Sequence, residues 1–447
     1  MAPVTDPKRW ARMRENSGIQ EREMWWVEHQ PFLLSRGYAL RPRYNPNWTP
    51  TWELPGNEEL STLRCEDSLP IKIAGNVLDA IRIADNVKVV LKLVSSQEMN
   101  LSWYLGDYRP EMEPDSSNRS VPLLESIDFE ISKIEHPKYK GILVFPFLRQ
   151  FDDPPFRRRS EVTEALEQFL RGMEYMHAKN VAHRDLCYRN LMVDARRMIP
   201  LGWHFIAPWS HYGTKVGIKS ETRSSVGPVN YYIIDFGLST EFYDILPEDA
   251  QDVGKYGQDK TVPELSETVA YNPFKVDVYQ LGNVIAKLVD VGHPTDTFLQ
   301  LIDYLDLAEL MTSRNPHQRP TASECVKFFR NLVLTMVDDP PVYHLSESSS
   351  DSESDNGSLD SISNEKAPQS ASEHGEGVYT LFDGPQISQH VYTRHRFGRA
   401  RLKFTGERVI GVNLSYFVES YAAKKIGSRR RKTRLGVCRV YCSMNHI

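Results

Sequence analysis

Two short stretches decide the reading of this chain: residues 183–190, HRDLCYRN, and residues 233–237, IIDFG. Each tripeptide alone, His183-Arg184-Asp185 or Asp235-Phe236-Gly237, says little, because an isolated Asp ordinarily turns or caps the chain. Their combination is specific. They follow in this order, a helical stripe precedes them, and Asn190 stands five residues beyond Asp185. That step lets one short loop aim a carboxylate and an amide in different directions. Asn190 and Asp235 offer the oxygen donors that a hard divalent ion needs, if the chain brings them together.

Working outward, Val162, Leu166, Phe169, Met173 and Met176 fall at the spacing of one helix face, whose ordinary role is core packing. Further back, Ile71, Ile73, Val77, Ile81 and Ile83 alternate with period two and lead into the apolar run of residues 87–94, so residues 71–94 read as strands. Lys92 lies inside that run, and a buried ammonium is costly unless it meets an anion or reaches solvent along its stem. Residues 97–105 read as a short helix, 107–119 as a loop, and 121–124 and 142–148 as further strands. After Val276 the patterns are helical up to Leu334, broken by Pro294, Pro316 and Pro320. A small strand-rich half followed by a larger helical half is an α+β plan in two lobes.

In these motifs the chain resembles the eukaryotic-type protein kinase superfamily. Val262-Pro263-Glu264 is similar to the tripeptide that closes a kinase activation segment. Asp277, in KVDVYQLG, is similar to the aspartate that begins the long central helix, and Arg319, in HQRPT, to the arginine that pairs with the segment's glutamate. The stretches GYALRPRYNPNWTPTW, LRQFDDPPF and MHAKNVAHRD resemble a group of fungal kinase-like proteins. The resemblance covers about residues 60–337. It implies a small antiparallel-sheet lobe (about 60–145), a mostly helical lobe (about 146–337), and ATP with Mg²⁺ as cofactors. Phosphoryl transfer asks a protein mainly for positioning and electrostatic stabilisation. The resemblance gives Asp185 the proton of the attacking hydroxyl, Asn190 and Asp235 the metal, and Lys92 the α and β phosphates, with Glu98 as its carboxylate partner. Arg184 holds the loop or meets a phosphate on the activation segment. Phe145 and Phe147 fall in the linker, where backbone groups read the adenine edge and side chains pack on its faces.

Three departures qualify the resemblance. Residues 71–92 contain one glycine, Gly75, so the glycine-rich loop that approaches phosphates closely is missing. Cys187 stands where serine/threonine kinases usually carry lysine, and Arg189 where tyrosine kinases often carry arginine. A stretch of 44 residues, longer than usual, separates Asn190 from Asp235 and contains Trp203 and Trp209. The leading expectation is an ATP-dependent protein kinase acting on protein hydroxyls, serine or threonine before tyrosine. A pseudokinase module without turnover and a small-molecule kinase of related fold remain open. The activation segment holds Ser239, Thr240, Tyr243, Tyr256 and Thr261, none singled out as a phosphosite.

Composition bounds the rest. Of 447 residues, 40% are hydrophobic and 25% charged, ordinary globular usage, and the net charge of −5 argues against a dedicated nucleic-acid binder. The five cysteines show no metal-ligand spacing and read as reduced thiols; no apolar run reaches the ~18 residues of a membrane span. An intracellular protein, cytoplasmic or nuclear, is expected, with a protein substrate as its partner. Residues 1–59 form an extension rich in Pro and Trp from residue 31 onward. Residues 338–378 are Ser-rich and acidic and cannot offset their ordering entropy, so they read as a disordered linker. Residues 379–447 form a tail of unassigned fold whose basic cluster, Lys424 to Arg434, is a solvated run or a nuclear-import or polyanion patch.

Overall fold

A computed structural model describes residues 17–57, 59–71, 75–106, 115–290 and 301–336, together with four short strands beyond residue 389. The chain forms two units, residues 1–350 and 351–447. In the second, His390–Arg394 pairs with Ala400–Phe404 and Ser415–Phe417 with Tyr441–Ser443, both antiparallel. The acidic linker and the basic cluster lie outside the described residues.

The first unit opens with a five-stranded antiparallel sheet in the order β1-β2-β3-β5-β4. Its strands are β1 (Tyr38–Ala39), β2 (Val77–Arg82), β3 (Val87–Val94), β4 (Glu125–Asp128) and β5 (Gly141–Pro146). Register divides the two faces. Leu78, Ala80, Val89, Leu91, Leu93, Ile142 and Val144 join one core with Trp26 and Leu33 of helix α1 (Met24–Ser35). The opposite face carries Lys92 paired with Val77, Val90 with Asp79, and Lys88 with Ile81. Val90 and Phe145 on that face pack toward the second core.

The expected strand at 121–124 is displaced: pairing runs over β4 instead, and of the earlier residues Ser120 makes only an isolated bridge to Ile233. Residues 121–124 are apolar because Val121 belongs to the large core, not because they extend the sheet.

The described part of the N-terminal extension, from residue 17 on, is built into the small lobe. Its β1 is the sheet's edge strand, and α1 covers the sheet's outer face despite Pro31 within the helix. Glu23 explains the local fold. It is fully buried, pairs with the equally buried Arg43 at 2.9 Å, and accepts hydrogen bonds from the Tyr44 hydroxyl at 2.8 Å and the Ile71 N–H at 3.1 Å. Asp67 does the same for the Pro/Trp-rich stretch. Its Oδ2 accepts from Trp48 Nε1 at 3.0 Å and from the Thr51 N–H and hydroxyl, each at 2.9 Å. Residues with little regular structure thus hold their shape through two buried carboxylates that gather donors.

The larger lobe surrounds helix α3 (Arg159–Ala178), whose stripe Val162, Leu166, Phe169, Met173 and Met176 is buried as its spacing predicts. Helix α2 (Ser96–Leu105) follows β3 in the small lobe, capped by the Ser95 side chain. Helices α4 (Pro273–Asp290), α5 (Leu305–Met311) and α6 (Ala322–Thr335) complete the large core, and Thr321 and Glu324 close α6 with a reciprocal capping box. Among the described residues, no helix is long and apolar enough to cross a membrane.

Candidate active site

The loop of residues 183–190 is held from below by α4. Asp277, fully buried, accepts the main-chain N–H of His183 at 2.7 Å and of Arg184 at 2.6 Å, and bonds His177 Nε2 at 2.9 Å. Gln280, one turn on, accepts the Leu186 N–H at 2.7 Å. These bonds hold Arg184 at φ +66°, a conformation that an L-residue seldom adopts without such support. His183 Nδ1 accepts the Asp185 N–H at 3.2 Å, so its Nε2 carries the proton donated to the Ile234 carbonyl at 3.0 Å. That bond ties the loop to the strand leading into Asp235.

Asn190 donates from Nδ2 to the Asp185 carbonyl at 2.8 Å and to its carboxylate at 3.0 Å. Strands β6 (Leu191–Val193) and β7 (Tyr231–Ile233) pair antiparallel, and the Ile234 N–H bonds the Asn190 carbonyl at 3.0 Å. Asn190 and Asp235 therefore stand at neighbouring strand ends. Asp235 has φ +70°, and its side chain is 45% exposed to the cleft. A carboxylate beside an amide oxygen fits a hard divalent cation, and these two residues would hold one.

Lys92 connects the lobes. Its Nζ bonds Glu98 on α2 and reaches Asp235 Oδ1 at 2.7 Å. Burial opposes its charge, and the two carboxylates outweigh that opposition, so its pKa lies above the ordinary lysine value. Burial raises Glu98 against the pull of Lys92, whereas Asp235 falls below its ordinary range because burial is overcome by Lys92 facing it. The short six-residue step from Lys92 to Glu98 works because α2 starts two residues after β3 ends.

Asp185 is covered. Its Oδ1 accepts the Gln258 main-chain N–H at 2.7 Å, and its Oδ2 the Gln258 side-chain amide at 3.1 Å. Gly257 makes this approach possible: it sits at φ +76°, and a Cβ there would lie 2.7 Å from the Arg184 carbonyl oxygen. Arg184 itself pairs with Asp252, donates to the Thr240 hydroxyl at 2.9 Å, and lies 4.4 Å from the Tyr256 ring centroid. A carboxylate stands where the sequence allowed a phosphate. Neither Asp252 nor Gln258 carried a local signal, since both act across the fold. Burial, with Asp185 adding to it, pushes the Cys187 thiol up to about 12, so this thiol stays neutral.

Farther along the segment, Glu264 meets Arg319 bidentately, with Nη2 to Oε2 at 2.8 Å and the guanidinium fully buried. Phe145, next to last in β5, packs toward the large core. Phe147 lies stacked on Trp203 of the long insert, ring centroids 4.7 Å apart. Groups of three or more metal-ligating His, Cys, Asp or Glu side chains are absent among the described residues.

Sheet order, helical lobe and loop geometry define a two-lobed kinase fold. The protein kinase domain family matches residues 145–329. The chain is 24% identical over 172 residues to a probable serine/threonine-protein kinase of Dictyostelium discoideum, covering 38% of this chain and 11% of that protein. It is 26% identical over 185 residues to the interferon-induced, double-stranded RNA-activated protein kinase of Rattus norvegicus, covering 37% and 29%. To cyclin-dependent kinase 1 of Encephalitozoon cuniculi it is 29% identical over 101 residues, covering 20% and 34%. The matched part thus spans between 11% and 34% of these relatives' lengths. Residues 145–329 thus match the protein kinase domain, and the likeness to the eukaryotic-type protein kinase superfamily rests on that stretch. The family match begins at Phe145, past most of the small lobe, where the glycine-rich loop is missing.

Proposed function

We propose that this chain is an ATP- and Mg²⁺-dependent protein kinase that phosphorylates serine or threonine hydroxyls. One observation carries the reading: Lys92 of the small lobe is bonded both to Glu98 and to Asp235 of the large lobe. A phosphate-steadying cation beside a metal-holding carboxylate is what phosphoryl transfer requires. In this reading Asp185 accepts the hydroxyl proton, and Asn190 and Asp235 hold Mg²⁺, which neutralises charge on the phosphates when bound. Arg184 keeps the activation segment in place through Asp252. The names of the relatives support serine or threonine as acceptor. The Glu264–Arg319 pair favours protein over small-molecule substrates, because it anchors the segment beside which a peptide would lie. The purified chain, γ-labelled ATP, Mg²⁺ and a peptide array, with Asp185→Asn as control, test the reading. Transfer to Ser or Thr peptides that vanishes in the control is expected; transfer only to sugars, choline or aminoglycosides overturns it.

A second reading, a nucleotide-binding module without turnover, is favoured by Gln258, whose two donors occupy both oxygens of Asp185. ATP binding without transfer, in the wild type and in Gln258→Ala alike, would select it.

A further inference from the structure

The missing glycine-rich loop and the long insert after Asn190 meet in space. In the sheet, β1 runs toward the start of β2, and the 37 residues between Ala39 and Val77 stand where a short hairpin turn would join them. From this excursion Arg41 reaches under the sheet. It bonds Glu66 Oε1 at 2.9 Å and faces Asp79 Oδ1 at 3.6 Å. Asp79 sits on the same sheet face as Val90 and Lys92, the face turned to the cleft. From the insert, His204 Nε2 bonds the same Glu66 oxygen at 2.8 Å. Its Nδ1 accepts the N–H groups of Ile206 and Ala207, so Nε2 is the protonated nitrogen and donates to Glu66. Beside it the Trp203 carbonyl accepts Lys88 Nζ at 3.1 Å, and the indole stacks on Phe147 of the linker. Gly213 of the insert, at φ +89°, packs closely on the other segment: a Cβ there would lie 3.1 Å from Leu69 and 3.3 Å from Glu66.

We propose that these two segments form one clasp, which ties the lobes together beside the linker and fills the slot for the nucleotide base, so that nucleotide enters only when the clasp opens. The filled slot follows from position. The cleft face of β2 and β3 next to the linker is covered by the chain's own Arg41–Asp79–Lys88 and Glu66–His204 contacts, and Phe147 is covered by Trp203. The tie follows from connectivity, since Glu66 and Lys88 belong to the small lobe and His204 and Trp203 to the large one. Asp79 Oδ1 and Arg41 Nε are buried and face each other as an ion pair at 3.6 Å, a link within the small lobe that places Arg41 beside Glu66.

The inference rests on the reading of Lys92 and Asp235 as a nucleotide site. The test is equilibrium binding of a fluorescent ATP analogue with Mg²⁺ to the full chain, compared among wild type, Glu66→Ala and His204→Ala, each with and without Lys92→Met. Hydrogen exchange of residues 77–94 follows lobe separation without nucleotide. If the competent state is the minor one, apparent affinity scales with its population, so each single variant gains about tenfold or more and Lys92→Met removes the gain. Lys92-dependent binding of equal strength in all three proteins overturns the clasp and leaves the site reading intact. Faster exchange in the variants with no binding in any protein overturns the site reading and, with it, the gate.

Discussion

At the scale of single residues, the centre is a set of buried or half-buried charges that are all answered by partners. Lys92 is answered by Glu98 and Asp235, Arg184 by Asp252, and Arg319 by Glu264. Removing one member of a buried pair leaves the other desolvated. Arg319→Ala is therefore expected to lower stability by about 3–5 kcal/mol in urea denaturation. Lys92→Met should behave differently: Asp235 opens onto the cleft, and the buried Glu98, whose pKa burial already raises, can take up a proton, so folding survives while ATP binding weakens. Asp185, Asn190 and Asp235 were legible in the sequence because their spacing is local. The partners that hold or cover them, Gln258, Asp252 and Gln280, were not, because each arrives from a distant segment with no motif of its own.

At the scale of elements, α3 was legible throughout, since one helix face is buried along its length and the stripe repeats that burial. Met173→Ala on this stripe is expected to cost about 2–5 kcal/mol, read as a lowered denaturation midpoint. The small lobe was harder to read. Its edge strand β1 is two residues long, too short for a period. Helix α1 contains Pro31, which ordinarily argues against a helix interior. Residues 121–124 looked like a strand because they are apolar, whereas the true strand, Glu125–Asp128, is largely polar. The Pro/Trp-rich excursion is held by Glu23 and Asp67, and a carboxylate with many donors leaves no trace in periodicity. Trp203→Ala, in the insert, should lower stability by about 3–5 kcal/mol through the lost stack on Phe147 and Arg149.

At the scale of the whole molecule, the two lobes meet through the Lys92–Asp235 bond in the cleft and the Glu66–His204 bond beside the linker. Glu66 sets a pH dependence for the second. Burial would raise its pKa, but His204 and Arg41 hold it at about 2, below the ordinary 4.5. A depressed carboxylate stabilises the fold fully above the unfolded value and loses that contribution as pH falls toward the folded one. The melting-temperature difference between wild type and Glu66→Gln is thus expected to be constant from pH 7 to about pH 5.5 and to shrink below about 4.5. A gap that widens on acidification would contradict the pairing.

The measurement that bears most directly on the kinase reading is single-turnover transfer from ATP to an acceptor peptide by the full chain, wild type beside Asp235→Ala, with the melting temperature of both. Asp235 faces the cleft, so the variant should keep its fold and lose transfer, and excess chelator should silence the wild type in the same way. Undiminished transfer by a folded Asp235→Ala protein, or transfer indifferent to chelator, would contradict the assignment of Asp235 to the metal and the phosphates.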